Sequence, residues 1–387
     1  MEFHKDELLQ AIIDEGGSDL HIRARMPPLL RVHGELLPLA EEPMNDDESQ
    51  ALVCEFVNGI AENDPKRKPD VEKLLKELET NGGADFALAH PDGTRFRVSV
   101  FKERKRYGAV LRQIPSGLLT LEQIGLPNTV RELLFKPRGL ILVTGPTGSG
   151  KSTTLASMID VINQERSVHI ITIEDPIEFY HESKKSIVTQ REVGDDVPSF
   201  AEAIRRALRQ DPDVILVGEM RDAETMKIAT QAAETGHLVL STLHTNDAAG
   251  AFPRLIDMGV EPFLIASAVA GVMGQRLCRR LCPNCRKEVP LDRKYYTLPY
   301  PAAKDTVFEP NGCDACTRTG YKGRRALFEV LDVDEDIEGA IVRRENATQI
   351  RNLSLAKGMK TLREDGWAKV FKGVTSVDEI IRVTEAQ

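Results

Sequence analysis

The chain has 387 residues, and at roughly 150 residues per domain that length predicts two or three domains. With 51 Lys and Arg against 60 Asp and Glu, the formal net charge is −9, which argues against a general nucleic-acid coat, because backbone binding needs dense basic charge. A hydrophobic share of 41% with 29% charged residues is that of a globular chain rather than a disordered one.

No apolar run approaches the roughly 18 residues that span a bilayer; the longest, from Phe263 to Gly274, reads as a buried helix. The N-terminus lacks a basic stretch followed by an apolar one, so no signal peptide is expected. Six cysteines are too sparse for a disulfide scaffold. These features point to the cytoplasm, with any membrane contact made through a partner.

In chain order, residues 1–115 mix short strands and helices. Leu20–Arg23 and Leu30–Leu36 read as strands around Pro27-Pro28, and Glu62–Asp70 reads as an exposed loop. Phe96, Val98 and Val100 alternate with Arg95, Arg97 and Ser99, the period of a half-buried strand, and Tyr107–Ile114 returns as a second one. Pro115-Ser116-Gly117 closes this part, and 116–121 is the expected linker.

From 122 to 276 apolar strands alternate with helices, which predicts a doubly wound α/β sheet. The strand candidates are Leu140–Thr144, Ile170–Ile173, Val214–Val217 and Leu238–Leu243. Ser199-Phe200-Ala201-Glu202 has the form of a capping box that opens a helix, as does Ser376-Val377-Asp378-Glu379 later. Residues 277–330 hold paired cysteines, and 331–387 read as helices.

Gly145-Pro146-Thr147-Gly148-Ser149-Gly150-Lys151-Ser152, followed by Thr153, is a full phosphate-loop motif between an apolar strand and a helix-compatible stretch. Its glycines let backbone N–H groups curl round a β-phosphate, and a helix N-terminus adds positive potential. Lys151 is expected to reach the β- and γ-phosphates of ATP, and Ser152 to offer its hydroxyl to Mg²⁺.

Strand Val214–Val217 runs into Gly218-Glu219, where Glu219 is the carboxylate available to polarise an attacking water. Glu174, Asp175 and Glu178 follow another buried strand; they either position Mg²⁺ or water, or cap a helix among surface acids. His237 and His244 bracket strand Leu238–Leu243, as structural hydrogen-bonders or as reporters of the γ-phosphate.

Cys282-Pro283-Asn284-Cys285 and Cys313-Asp314-Ala315-Cys316 form two C-x-x-C pairs with 27 residues between them. Two such knuckles suit four thiolates on a closed structural Zn²⁺, the alternative being core thiols. Cys54 and Cys278 pair with nothing at the right spacing.

The phosphate loop, the box Ile173–Glu178, Val217-Gly218-Glu219-Met220-Arg221-Asp222 and the run Thr235–Thr245 together resemble the secretion ATPase superfamily, the hexameric motors of type IV pili and type II secretion. The resemblance implies a PAS-like N-terminal domain over 1–115, a RecA-like ATPase domain over 122–276, a zinc-binding subdomain over 277–330 and a helical region over 331–387. It also implies a homo-hexamer that hydrolyses ATP against an inner-membrane platform protein, at the cytoplasmic face of that membrane. The basic cluster Lys102, Arg104, Lys105 and Arg106 lacks interleaved aromatics, so no direct nucleic-acid contact is expected.

By the same resemblance Glu219 activates water, Glu174, Asp175 and Glu178 form the acidic box, and His237 and His244 form the histidine box. Arg97, Arg104 and Arg112 stand where the family carries arginines that act on ATP. Gly17-Ser18-Asp19-Leu20-His21-Ile22 resembles the retraction branch of the family, which favours twitching motility as the output. The cysteine pairs and Gly320-Tyr321-Lys322-Gly323-Arg324 resemble the assembly branch, so pilus assembly or type II secretion is the alternative. From another class, a RecA-like nucleic-acid motor is the rival, and the acidic balance speaks against it.

Overall fold

A computed structural model describes residues 3–32, 35–62, 65–114, 117–292, 294 and 304–384. The chain divides into two compact units, Met1–Gly117 and Leu118–Gln387. The expected turn at Pro115-Ser116 lies outside the described residues, as do His33 and Gly34 of the expected strand Leu30–Leu36.

The first unit comprises α1 (Lys5–Asp14), β1 (Asp19–Arg23), β2 (Leu29–Val32), β3 (Glu35–Pro38), α2 (Asp46–Asn58), α3 (Lys68–Asn81), β4 (Gly83–Ala89), β5 (Arg95–Glu103) and β6 (Arg106–Ile114). Its six strands form one antiparallel sheet in the order β3-β2-β1-β6-β5-β4. One sheet face packs on the helices: Phe96, Val98 and Val100 join Leu9, Ile12, Leu52 and Phe56 in a single core. The region read as a loop over Glu62–Asp70 instead turns at Pro65–Arg67 and enters α3 at Lys68. Pro69 sits in the first turn of α3, where a missing N–H costs nothing.

The second unit begins with α4 (Leu121–Ile124), α5 (Asn128–Leu134), β7 (Gly139–Thr144), α6 (Lys151–Glu165), β8 (His169–Glu174), β9 (Ile187–Glu192), α7 (Phe200–Ala207) and β10 (Val214–Val217). It continues with α8 (Ala223–Glu234), β11 (Leu238–Leu243), α9 (Ala251–Asp257), α10 (Pro262–Ala268), β12 (Val269–Leu281), β13 (Lys287–Pro290), β14 (Thr306–Glu309) and β15 (Tyr321–Asp332). Four helices close it: α11 (Glu335–Val342), α12 (Ala347–Ala356), α13 (Leu362–Phe371) and α14 (Val377–Thr384).

Its main sheet runs β15-β12-β7-β11-β10-β8-β9, parallel throughout except for the antiparallel edge pair β12-β15. β7, β10 and β11 are buried along their whole length, so they read as continuous apolar runs. Alternation sorts their side chains between two cores. Leu140, Leu142, Ile215 and Val217 meet α8 on one face, while Ile141, Val143, Val214 and Leu216 meet α6 on the other. The expected doubly wound α/β architecture is therefore what forms.

The run Phe263–Gly274 is not one helix. α10 stops at Ala268, and Val269 begins β12, which is paired with β7 on one side and β15 on the other. A strand buried on both faces carries no period that separates it from a buried helix. Ser199 caps α7 by accepting from the Glu202 N–H at 3.3 Å, but the Glu202 carboxylate binds Arg206 rather than closing the box. Ser376 likewise accepts from the Glu379 N–H, while the Glu379 carboxylate, fully buried, binds Arg279 and Arg382. That pairing ties α14 to the far end of β12. Among the described residues no helix is long and apolar enough to cross a membrane.

Candidate functional site

Four parallel strands deliver the candidate residues to one edge of the sheet. β7 ends at Thr144 and hands the chain to the loop Gly145–Gly150, and α6 starts at Lys151. Gly145 has φ 153°, and a Cβ there would sit 2.4 Å from the Gln275 carbonyl oxygen, so only glycine fits. Lys151 is buried and its Nζ donates to the carbonyls of Gly145 at 2.9 Å and Pro146 at 3.0 Å. Burial pushes its ammonium below the usual lysine range, against the attraction of Glu219 and Glu178. Ser152 is exposed in the first turn of α6, Thr153 is half-buried, and the Ser149 hydroxyl is buried.

Glu219 lies two residues past the end of β10, after Gly218, and its side chain is only 15% exposed. Arg221 lies 2.5 Å from one carboxylate oxygen and His244 Nε2 lies 3.9 Å from the other. The His244 side chain is half exposed; partial desolvation, with Lys151 next, holds it below the usual imidazole range.

Glu174 ends β8; Thr172 donates to it at 2.6 Å and Gln190 at 3.3 Å. Burial, aided by the nearby Glu178 charge, pushes its carboxyl up to about 7 despite those bonds. Asp175 is exposed. Lys151, Glu178, Glu219 and His244 thus share one electrostatic neighbourhood, and Glu174 adjoins it through Glu178.

His237 does not join them. It sits at the opposite end of β11 from His244, roughly 20 Å along a six-residue strand, where Nδ1 meets the Ala232 carbonyl at 2.9 Å. There it closes the C-terminal end of α8, which is the structural one of its two readings.

Sequence reading missed Gln275. This fully buried side chain of β12 donates through Nε2 to the Ser149 carbonyl at 2.8 Å and so pins the phosphate loop from a neighbouring strand. Its neighbour Arg276 donates to the Asn246 carbonyl at 2.7 Å, in the loop after His244. The available signal was a Gln-Arg pair directly after the apolar run Phe263–Gly274.

Arg97, Arg104 and Arg112 belong to the first unit, all with exposed side chains. Arg97 and Arg112 are direct cross-strand partners on β5 and β6, and Arg112 in turn faces Asp19 on β1 and donates to it at 2.7 Å. Burial opposes it, but Arg112 and Ser18 together hold the Asp19 carboxyl below its usual range. Arg104 occupies the turn between β5 and β6 with φ 51°. Two like charges opposite one another are destabilising unless an anion meets them.

The four cysteines of the two C-x-x-C pairs converge, with Sγ atoms all within 4.8 Å of one another. Individual separations are 3.9 Å for Cys282–Cys313, 3.8 Å for Cys285–Cys316 and 3.7 Å for Cys313–Cys316. A tetrahedron with metal–sulfur bonds of about 2.3 Å places its sulfurs about 3.8 Å apart, so the donor set fits zinc with no open position. The Cys313 and Gly320 N–H groups donate to Cys316 Sγ at 3.2 Å each, which favours a thiolate there. Purified protein is expected to carry one zinc per chain by elemental mass spectrometry, and Cys282→Ser to lose it together with thermal stability. Freshly purified protein without zinc would contradict this site.

The Type II/IV secretion system protein family matches residues 2–382. The chain is 44% identical to the type IV pilus retractation ATPase PilT of Pseudomonas aeruginosa, over 71% of this chain and 78% of that one. It is 45% identical to type II secretion system protein E of Klebsiella pneumoniae, over 98% of this chain and 74% of the other. Among solved structures, the pilus retraction motor PilT with bound ADP superimposes with a TM-score of 0.77 at 35% identity, covering 99% of this chain and 97% of that one. A match of this extent, on a chain with this phosphate loop and this α/β sheet, makes the protein a member of the type II/IV secretion ATPase family.

Proposed function

We propose that this protein is a ring-forming motor that hydrolyses ATP to power type IV pilus dynamics, with retraction as the first reading. The observation that carries the ATPase assignment is the gathering of Lys151, Glu178, Glu219 and His244 beside the phosphate loop. Lys151 and the loop N–H groups bind the β- and γ-phosphates. Glu219, held by Arg221, orients the attacking water and takes its proton. His244, 3.9 Å from Glu219, senses the γ-phosphate through that carboxylate.

The exposed Ser152 hydroxyl and the carboxylates of Glu174, Asp175 and Glu178 are hard oxygen donors of the kind Mg²⁺ prefers, and they would hold it. When bound, the ion neutralises charge on the β- and γ-phosphates. Glu174, with its carboxyl at about 7, is the member whose charge is most easily altered by a neighbouring cation. Arg97, Arg104 and Arg112 are the candidate counter-charges to the transferring phosphoryl group.

Retraction is supported by the likeness to the PilT motor across nearly all of both chains. Assembly or secretion is the second reading, supported by the four-cysteine cluster and by 45% identity to a type II secretion protein E over 98% of this chain. In either case a homo-hexamer works against an inner-membrane platform protein from the cytoplasmic side.

Lys151→Ala is expected to abolish nucleotide binding. Glu219→Gln should keep ATP affinity while lowering turnover by on the order of 10²–10³, read in a steady-state ATPase assay beside a binding titration. Normal ATP affinity in Lys151→Ala would remove the site assignment. In the source cell, deleting the gene is expected to leave more pili that no longer withdraw. Loss of pili, or of an exported protein, would assign the motor to assembly or secretion instead.

A further inference from the structure

The loop His244–Gly250 carries His244, yet nothing within the loop explains why that side chain stays beside Glu219. Its internal bonds are short-range: Thr245 Oγ1 donates to the Asp247 carbonyl at 2.9 Å, and the Asp247 carboxylate accepts from the Gly250 N–H at 2.7 Å. The remaining supports come from distant parts of the second unit. Thr144 at the end of β7 donates to the Asp247 carbonyl, and Arg276 on β12 to the Asn246 carbonyl. Glu329 on β15 accepts from the Ala248 N–H at 3.0 Å, and Arg351 on α12 lies 3.5 Å from Asp247 and 3.8 Å from Glu329.

Glu329 is unusual. Its side chain is completely buried, a costly place for a carboxylate, and burial pushes its carboxyl up despite the Ala248 bond and the Arg351 charge. Its second oxygen, Oε2, lies 3.8 Å from Arg351 and makes no close hydrogen bond, while the Leu362 N–H adds a weaker pull on the carboxylate. For packing alone, an apolar side chain of the same volume would serve as well or better. Room for this contact is also built in. Glu329 is the register partner of Gly274, and a Cβ at Gly274 would lie 3.3 Å from the Ala248 nitrogen and 3.5 Å from the Glu329 Cβ.

From this arrangement we infer that Glu329 and Arg351 are positioning residues for hydrolysis, holding the loop 244–250 so that His244 stays against Glu219. The inference rests on the role proposed above for His244. Glu329 fixes the backbone at Ala248, and Arg351 joins Asp247 to Glu329 across the same loop. The strand β15 and helix α12 belong to the C-terminal part of the chain, and through this pair they act on the geometry of a site whose other residues come from β7, β8, β10 and β11. A displacement of about 1 Å at such a site is enough to cost on the order of 10²-fold in rate.

The test uses the full chain and two measurements, ATP turnover and the affinity of a fluorescent ATP analogue, on Glu329→Leu, which removes the acceptor for Ala248, Arg351→Gln, His244→Ala and the two double variants with His244→Ala. Arg351 is the safer member for folding, since its side chain reaches the surface at 23% exposure; thermal midpoints identify a variant that is merely unfolded. Each of the Glu329 and Arg351 variants is expected to lower kcat by about tenfold or more with affinity kept within about twofold, and to add less than about twofold on the His244→Ala background. Losses that multiply on that background, or single variants with unchanged kcat, would overturn the inference while leaving the site reading intact. Wild-type turnover in His244→Ala would overturn the role of the histidine itself, and the inference with it.

Discussion

The parallel pairing of β7, β8, β10 and β11 is the constraint on which the site depends. Register places Val217 beside Ile173 on one side and Ser241 on the other, and Leu243 beside Thr144. Four chain segments therefore leave the sheet together at its carboxyl edge: the phosphate loop, the acidic stretch from Glu174, Gly218-Glu219 and the loop from His244. Ligands of open α/β sheets bind at that edge because only there do several loops converge on backbone ends of fixed geometry. The burial of β7, β10 and β11 on both faces makes the register rigid, since a slip of one residue would exchange the two cores.

On that frame, burial sets the electrostatics of Lys151 and Glu174, while Glu219 is held by a close ion pair with Arg221. Lys151 is held beneath the loop by two carbonyls, and its charged form is disfavoured by its surroundings. Glu174 is raised towards neutrality by the same cause. A site in this condition favours an anion with several negative oxygens and an accompanying divalent cation, each of which relieves what burial has imposed. The strand β12 adds mechanical support: Gln275 and Arg276 grip the two principal loops, while Arg279 further along engages Glu379 and Cys282 just beyond its end enters the cysteine cluster. One strand thus spans from the phosphate loop to the cysteine cluster.

Much of this was legible in the sequence, for identifiable reasons. Val214–Val217 and Leu238–Leu243 form strands with the bounds their apolar runs suggested, and the phosphate loop lies between a strand and a helix as its motif requires. Local signals failed where partners are far apart in the chain. Nothing near Gln275, Glu329 or Arg351 announces a contact with Ser149, Ala248 or Asp247, since sheet order rather than sequence distance brings them together. β12 was hidden in an apolar run with no usable period, and His237 carried the same residue type as His244 with the opposite location on β11.

The central claim is that the loop at 145–152 is a cradle for a nucleotide's phosphates, and comparing ADP with AMP by calorimetric titration tests it most directly. On that claim the loop N–H groups, and Lys151 once it leaves the two carbonyls it binds, meet a β-phosphate that AMP lacks. ADP is predicted to bind tighter than AMP by on the order of 100-fold, with the difference lost in Lys151→Ala. Equal affinities for the two nucleotides would contradict the account.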